Sequence, residues 1–206
     1  MYTILGLGNP GEEYEKTRHN TGRMALEIAR KKFNLPEWEA QKKSSALISA
    51  GVAGGVASKS ATADQKILFA MPETFMNKSG VTAAALVKSQ KAATKLIVVY
   101  DDLDLPIGKM KISFNRSSGG HRGVESIIRA LKTESFVRIR VGIAPVTPSG
   151  KIKKPAGDEA VAKFIVAPFR PNEEKELKKV LAKIPAAVQA IISEGHERAM
   201  GSFNQS

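Results

Sequence analysis

Short apolar runs alternate with amphipathic helical stretches along most of this chain of 206 residues. The clearest run is 95–100 (KLIVVY), whose length and β-branched residues are typical of a buried strand. Strands that alternate with helices favour a sheet covered on both faces. We therefore expect an α/β fold built on one twisted, mixed and mostly parallel sheet. The predicted strands are 2–7, 66–71, 95–100, 109–114 and 136–143, and the predicted helices are 21–33, 79–88, 123–131 and 173–193.

Other stretches have less regular patterns. Residues 46–57 are rich in Gly and Ala and predict a strand or a hairpin, and Ser79 is predicted as the N-cap of its helix. Residues 146–157 are rich in Pro, Gly and Lys, which indicates a mobile loop. With 42% hydrophobic residues, a chain of this length can bury one good core. We expect residues 1–206 to form a single domain.

The composition narrows the class of protein. The chain has no Cys, which excludes disulfides and thiolate metal sites. The N-terminus has no signal-peptide pattern and no apolar run reaches membrane-spanning length, so we expect a soluble, cytoplasmic protein that binds no membrane. A net charge of +12 favours a polyanionic partner such as nucleic acid. An enzyme that is merely basic would have the same composition.

The segment 6–22, GLGNPGEEYEKTRHNTG, joins the first predicted strand to the first predicted helix. Open α/β sheets place ligand sites in such loops. The segment begins with G-x-G-x-x-G, but the context of a dinucleotide site is missing. Pro10 removes one N–H group, polar residues continue to Asn20, and basic residues stand at 30–32 where an acidic residue is expected. The chain also lacks a P-loop sequence. The segment instead places His19, a potential base, where a substrate would bind.

Four loops at predicted strand ends carry polar side chains, and they could converge at one edge of the sheet. These side chains are Asn9 and His19, Asn77, Asp101 and His121. Each alone has a structural explanation as a turn, cap or surface residue. Together they contain a histidine and a carboxylate, the minimal pair for general base catalysis. Such a pair suffices to hydrolyse an ester, with Asn77 or a backbone N–H group supporting the oxyanion.

Two predicted strands carry basic residues. Arg138 and Arg140 lie two positions apart, as do Lys109 and Lys111, so each pair shares a strand face. Such faces could follow an RNA backbone through phosphate contacts. A solvated strand face explains Arg138 and Lys109 about equally well. The lysines at 151, 153 and 154 could also touch RNA, although a solvated loop is the better interpretation.

Five segments together resemble the bacterial-type peptidyl-tRNA hydrolases over nearly the whole chain. In the family's order and at compatible spacings they are GLGNPGEEYEKTRHNTG, PETFMNKSG, IVVYDDLDLPIGKMK, SGGHRG and VRIRVGI. The resemblance implies a single α/β domain and a cofactor-free esterase, which cleaves the ester joining a peptide to the terminal ribose of tRNA. His19, His121 and His196 show no metal-ligand spacing, so we expect no metal. We also expect a monomer without an obligate protein partner.

The resemblance further implies roles for individual residues. His19 matches the catalytic base, and Asp101 matches the acid that orients and polarises it. Asn9 matches a residue that helps to distinguish a blocked, peptidyl-like α-amino group from a free one. Further matches line the substrate cleft or approach tRNA: Tyr14, Phe75, Met76, Asn77 and His121 for the peptide and the 3′ end, and Lys111 and Arg140 for phosphate.

The chain departs from the family's pattern at two positions. Arg122 stands where the family usually has an Asn that contacts substrate, and Ser113 stands where many relatives carry a phosphate-binding Lys. Because Arg has only donors and a longer reach, Arg122 is predicted either to bind a phosphate of the 3′ end or to lie in solvent without a role. Two other classes stay open: a non-catalytic RNA-binding relative, which Arg122 favours, and a nucleotide-binding oxidoreductase, which the glycine loop disfavours.

Overall fold

The computed structural model describes residues 1–53, 65–147, 149 and 151–205. The strands are β1 (Tyr2–Gly6), β2 (Glu39–Gln41), β3 (Ala46–Val52), β4 (Lys66–Pro72), β5 (Leu96–Pro106), β6 (Met110–Phe114) and β7 (Val137–Ala144). The helices are α1 (Thr21–Lys32), α2 (Ser79–Leu86), α3 (Gln90–Ala93), α4 (Arg122–Leu131), α5 (Asp158–Ile165), α6 (Pro171–Leu181), α7 (Ile184–Glu194) and α8 (His196–Phe203). Among the described residues, no helix is long and apolar enough to cross a membrane.

The described strands form one mixed sheet in the order β2-β3-β4-β1-β5-β7-β6. The four central strands, β4, β1, β5 and β7, are parallel. The outer strands β2, β3 and β6 are antiparallel to their neighbours. Parallel pairing places the carboxyl ends of the central strands at the same edge of the sheet. The polar residues that follow these strands can therefore converge there, as the sequence predicts. The predicted sheet is therefore confirmed.

Alternate residues of the central strands face two separate hydrophobic cores. Ile97 and Val99 of β5 belong to the core between the sheet and the helices α1, α6 and α7. Val98 and Tyr100 pack on the opposite side, under α2 and α4. This alternation follows from the two-residue repeat of a strand. Helices cover both faces of the sheet, which confirms the predicted architecture.

Two glycines let the first helix begin directly against the sheet. A Cβ atom on Gly22 would lie 2.3 Å from the Val99 carbonyl oxygen and 2.4 Å from the Leu7 nitrogen. A Cβ atom on Gly6 would lie 2.4 Å from the Gly22 carbonyl oxygen. Any larger residue at Gly22 would push α1 away from β1 and β5. This close approach brings the turn that carries His19 over the end of β5.

Two features of the predicted helices are wrong. The helix predicted for 173–193 is two helices, α6 and α7. Pro185 lies in the first turn of α7, where its missing N–H group is tolerated, whereas in a continuous helix it would break the backbone hydrogen bonding. Ser79 is not an N-cap, because the cap position is Lys78 and the Ser79 hydroxyl donates to the Met76 carbonyl oxygen at 2.8 Å.

Other predicted boundaries differ from the structure. The strand predicted for 95–100 continues past Asp101 to Pro106 as β5, with an irregular register between Asp102 and Pro106. The predicted strand or hairpin at 46–57 is β3 up to Val52, and residues 54–57 lie outside the described part of the chain. Val146 pairs with Ile152 in an isolated antiparallel bridge. The mobility of residues 146–157 and the single domain stay predictions.

Candidate active site

A cavity of about 610 Å³ lies where the loops after β1 and β4, the second half of β5 and the start of α4 meet, and we call it the dyad cavity. Residues 154–166, including α5, supply its further wall. Four separate stretches of sequence thus converge as expected. The predicted site residues that line it are Asn9, His19, Phe75, Met76, Asn77, Asp101, His121 and Arg122.

His19 and Asp101 form a hydrogen-bonded pair at the base of this cavity. The Nδ1 atom of His19 lies 3.0 and 2.9 Å from the two Asp101 carboxylate oxygens, and both side chains are buried. Asp101 is acceptor-only when ionised, so Nδ1 must carry the hydrogen. The other ring nitrogen, Nε2, is then unprotonated in the neutral imidazole and can accept a proton.

His121 is hydrogen-bonded to the same carboxylate, and its ring lies 5.0 Å from that of His19. Its Nε2 lies 3.1 Å from Asp101 Oδ1, and its Nδ1 accepts from the Val124 N–H group at 3.3 Å as the N-cap of α4. That second bond assigns the hydrogen to Nε2, so His121 donates to Asp101. The sequence placed His121 in the cleft but did not predict that it shares Asp101 with His19.

Burial alone would raise the pKa of Asp101, but the positive charge and hydrogen bonds available from His19 and His121 outweigh it. They hold the pKa of that carboxyl well below its usual range, so Asp101 is ionised at any pH used for an assay.

The same three residues could also hold a metal ion. The possible ligand atoms of His19, Asp101 and His121 all lie within 4.8 Å of one another. Sequence spacing could not reveal this set, because the three residues come from three distant segments.

Arg18 fixes the turn that carries His19. Its guanidinium is buried, lies 2.6 Å from Glu173 of α6, and donates to the carbonyl oxygens of Ala167 and Pro168 at 3.1 and 2.8 Å. The guanidinium also lies 4.2 Å from the centre of the Phe164 ring. Arg18 therefore ties the base to the chain that follows α5. The sequence analysis missed this role, since a basic residue beside His19 has no pattern of its own.

Asn9 is held rigidly by Asn20. The Asn20 side chain accepts from the Asn9 N–H group at 2.8 Å and donates to the Asn9 carbonyl oxygen at 2.9 Å. The Asn9 side-chain oxygen accepts from the Met76 N–H group at 2.8 Å. This bond orients the amide so that its NH₂ group is left to donate to a ligand in the cavity. Asn20 is a second positioning residue that the sequence analysis did not single out.

Apolar and basic side chains form the rim. Phe75 is 57% exposed, and its ring meets Tyr14 edge-on with centroids 6.5 Å apart. Asn77 and Arg122 are exposed at the mouth of the cavity. Exposed aromatic groups beside a polar cavity can stack on a flat ligand such as a base.

A second cavity, of about 550 Å³, lies beside the first and contains Lys111 and Arg140, as well as Arg116 and Arg138. We call it the basic cavity. Arg140 is paired with Asp102 at 2.6 Å and Lys111 is exposed. The two cavities share the wall formed by Tyr100, Asp102, Asp104, Ser118 and Gly119.

Arg138 shares its strand face with Arg140, as predicted, but its interpretation as a residue of a solvated face is wrong, because it is only 1% exposed. Of the lysines in the 146–157 segment, Lys154 forms an ion pair with Asp104.

A buried carboxylate that orients a histidine beside a cavity, at the carboxyl edge of an α/β sheet, defines a hydrolase-type site. The comparisons with known proteins identify the family. Residues 3–206 match the family model described as peptidyl-tRNA hydrolase. The chain belongs to the peptidyl-tRNA hydrolase family, and it is an enzyme that hydrolyses peptidyl-tRNA.

Relatives match over almost their full length. The peptidyl-tRNA hydrolase of Aquifex aeolicus is 37% identical over 203 residues, which cover 98% of this chain and 95% of the relative. That of Chloroflexus aggregans is 37% identical, with 99% of each chain covered. The crystal structure of peptidyl-tRNA hydrolase from Acinetobacter baumannii has a TM-score of 0.84 at 24% identity, covering 99% of this chain and 94% of that chain. The structural likeness supports the same fold.

Proposed function

We propose that the enzyme cleaves the peptidyl ester with a water molecule that His19 activates, without a cofactor. The observation that carries this proposal is the bond from His19 Nδ1–H to the buried Asp101 carboxylate. It fixes the tautomer in which Nε2 is the base, and it stabilises the imidazolium that forms when Nε2 takes a proton.

The reaction then needs two proton transfers at one atom. His19 Nε2 removes a proton from water as the water oxygen attacks the ester carbonyl carbon. The tetrahedral intermediate collapses by breaking the bond to the ribose oxygen, which takes the proton back from Nε2. The products are a peptide with a free carboxyl group and a tRNA with a free terminal hydroxyl group. General base catalysis of this kind contributes about 10²–10⁴-fold.

The neighbouring polar groups supply orientation. The NH₂ group of Asn9 can donate to a carbonyl of the blocked α-amino group, which a free aminoacyl ester lacks. Asn77, exposed at the cavity mouth, supports the oxyanion or the peptide backbone. Phe75 with Tyr14, together with Met76, receives the peptide and the 3′ end of the tRNA.

The basic cavity is proposed to hold the tRNA backbone. Four cationic residues line it against two carboxylates, Asp102 and Asp104. Lys111 is exposed and can reach a phosphate as it stands. Arg140 is already paired through its Nε atom with Asp102, so its contribution comes from the remaining guanidinium nitrogens. Lys111 and Arg140 together would contact phosphate next to the shared wall.

Arg122 is proposed to bind a phosphate near the 3′ end. It is the first residue of α4, it is exposed, and it lines the dyad cavity beside His121. A helix N-terminus also favours an anion, since its free N–H groups and dipole are positive. In this respect Arg122 offsets the loss of the Lys that many relatives carry where this chain has Ser113.

His19→Ala tests the mechanism on two substrates: a peptidyl-tRNA, and an N-acetylated aminoacyl ester of adenosine that lacks the tRNA body. We expect kcat to fall at least about 10²-fold on both, with tRNA affinity nearly unchanged. The matched control is His196→Ala, whose ring stacks on Phe114 at 4.1 Å outside the dyad cavity. Near wild-type turnover in His19→Ala would refute the proposal.

A chelator separates the proposed hydrogen-bonded site from a metal site at the same three residues. We expect dialysis against EDTA to leave the rate unchanged. Loss of activity that added Zn²⁺ restores would instead assign the His19, Asp101 and His121 set to a metal ion.

We further propose that the protein acts in the cytoplasm as a monomer without an obligate protein partner. The support for the location is its substrate, because peptidyl-tRNA arises during translation. Sedimentation of the purified enzyme at assay concentration tests the monomer, and a concentration-dependent shift to a dimer would contradict it.

A further inference from the structure

Arg138 is a buried cation, and it is more deeply buried than Arg140 two residues away. It lies on β7 and is 1% exposed, whereas Arg140 is half-buried on the same strand face. A buried guanidinium must be hydrogen-bonded to offset the loss of its hydration. Its partners therefore show what it does.

The partners of Arg138 are backbone carbonyl groups of the loop between β6 and α4. Nη1 donates to the Ser117 carbonyl oxygen at 2.5 Å, and Nη2 donates to that of Arg116. Both of these loop residues are exposed. The planar fork of an arginine suits two adjacent acceptors, and a lysine cannot reproduce that geometry.

The loop that Arg138 holds, residues 115–120, ends at His121. It contains three residues in the left-handed region, Asn115, Gly119 and Gly120, with φ of 51°, 60° and 81°. Its backbone path therefore depends on a tight turn, which the His121 N–H bond to the Ser118 carbonyl oxygen at 3.2 Å closes. A shift of this loop would move the His121 ring away from Asp101.

Arg138 also acts on the ring that supports His121. Burial raises the pKa of Tyr100 to about 12, so the phenol keeps its proton, while the hydrogen bond from Arg138 opposes that rise. The Tyr100 ring lies 4.7 Å from the His121 ring. Arg138 therefore binds the loop that leads to His121 and also interacts with the aromatic ring that lies against it.

We infer that Arg138 is a positioning residue for the Asp101–His121 bond, and through that bond for the catalytic base. The Arg116 and Ser117 carbonyl groups that it binds directly precede Ser118 and Gly119, which belong to the wall that the dyad cavity shares with the basic cavity. The inference rests on the proposed role of His19 and Asp101.

Arg138→Lys tests it on the N-acetylated aminoacyl ester of adenosine, which has no tRNA body. The variant keeps the positive charge but cannot donate to both loop carbonyl groups, so the loop that leads to His121 can shift. A small displacement of a group in an active site can reduce a rate by about 10²-fold. We expect kcat to fall between about 10-fold and 100-fold, with little change in KM. The acid limb of the pH–rate profile should move to higher pH, because Asp101 then loses part of the hydrogen bond from His121 and acts more fully on His19.

The titratable groups that face Asp101 are His19, His121 and Tyr100, and the adjacent Asp102 is paired with Arg140. His121→Ala should therefore move the acid limb in the same direction. If Arg138 acts through His121, Arg138→Lys in the His121→Ala background should change kcat less than about two-fold. An additive effect of the two substitutions would overturn the inference. The matched control is Arg129→Lys on the exposed face of α4, for which wild-type kcat is expected.

A second variant covers the case in which Arg138→Lys does not fold. Asn115→Val strains the left-handed start of the same loop, because β-branched residues avoid positive φ, and it leaves the core unchanged. We expect it to move the acid limb to higher pH, and to do so only when His121 is present. An unchanged profile in a folded Asn115→Val or Arg138→Lys variant would refute the inference. Failure of the proposed function is distinguishable, since it would appear as turnover retained in His19→Ala.

Discussion

Asp101→Asn removes the one charge that two histidines share, and the structure predicts its effect in detail. His19 Nδ1–H and His121 Nε2–H are both donors, and Asp101 accepts both. An amide has one oxygen and one NH₂ group. If the amide oxygen takes the place of Oδ1, that oxygen can accept from both histidines. The NH₂ group then takes the place of Oδ2, which is 2.9 Å from His19 Nδ1 in the wild type, so two donors face each other. With the amide reversed, its NH₂ group opposes the hydrogen of His121.

Either orientation therefore leaves a donor facing a donor in a buried site, which costs about 1–3 kcal/mol. The variant relieves this contact by moving the hydrogen of His19 to Nε2, and then the catalytic nitrogen is no longer a base. The same change in Ser-His-Asp hydrolases reduces kcat about 10⁴-fold. We expect a fall in kcat between about 10² and 10⁴ here, with a much smaller change in KM.

The lost charge also moves the pH dependence. His19 Nδ1 lies 2.9 Å from an Asp101 carboxylate oxygen, and a negative charge at this range favours the protonated imidazole. The acid limb of the kcat/KM profile should therefore shift to lower pH in Asp101→Asn, because the protonated imidazole has lost its support. Since the pKa of Asp101 lies well below its usual range, its own titration cannot produce this limb.

The assay is a pH series between about pH 5 and 9 on the N-acetylated adenosine ester, with both kcat and KM measured. Glu176→Gln, a change of an exposed carboxylate on α6, serves as the matched control and should leave the profile unchanged. A wild-type profile in Asp101→Asn would show that the carboxylate is not coupled to His19. A loss confined to KM would show that it binds substrate instead.

Three further predictions concern the tRNA contacts and the orientation of Asn9. Arg140→Ala should reduce the slope of log affinity for tRNA against log salt by about one unit, because one phosphate contact is lost, and an unchanged slope would remove the basic cavity from the tRNA path. Arg122→Asn should weaken tRNA binding and its salt dependence while kcat stays equal or rises; unchanged KM and salt response would leave Arg122 a solvent-facing residue. Asn20→Ala should release Asn9 and raise KM for the N-acetylated ester more than it lowers kcat, and a KM equal to that of the wild type would contradict the positioning role of Asn20.

Local patterns in the sequence predicted the central architecture. The strands 95–100 and 66–71 read as continuous apolar runs because parallel central strands are buried on both faces. The segment from Gly6 to Gly22 predicted a strand, a loop and a helix, with His19 in the loop. Such features depend on neighbours in sequence and on a two- or 3.6-residue repeat. The family's motifs gave the pairing of His19 with Asp101 as an implication, and the structure places the two side chains in contact.

Tertiary packing decided what no local pattern could express. Arg138 and Arg140 have the same chemistry and the same strand face, but the loop before α4 covers only the first of them. His121 reaches Asp101 because the cap of α4 lies beside β5, an arrangement between segments 20 residues apart in sequence. Arg18 is buried because its partner, Glu173, comes from a helix 155 residues later. The free energy of each contact depends on burial and on a distant partner, and the sequence by itself determines only the residue types that can meet there.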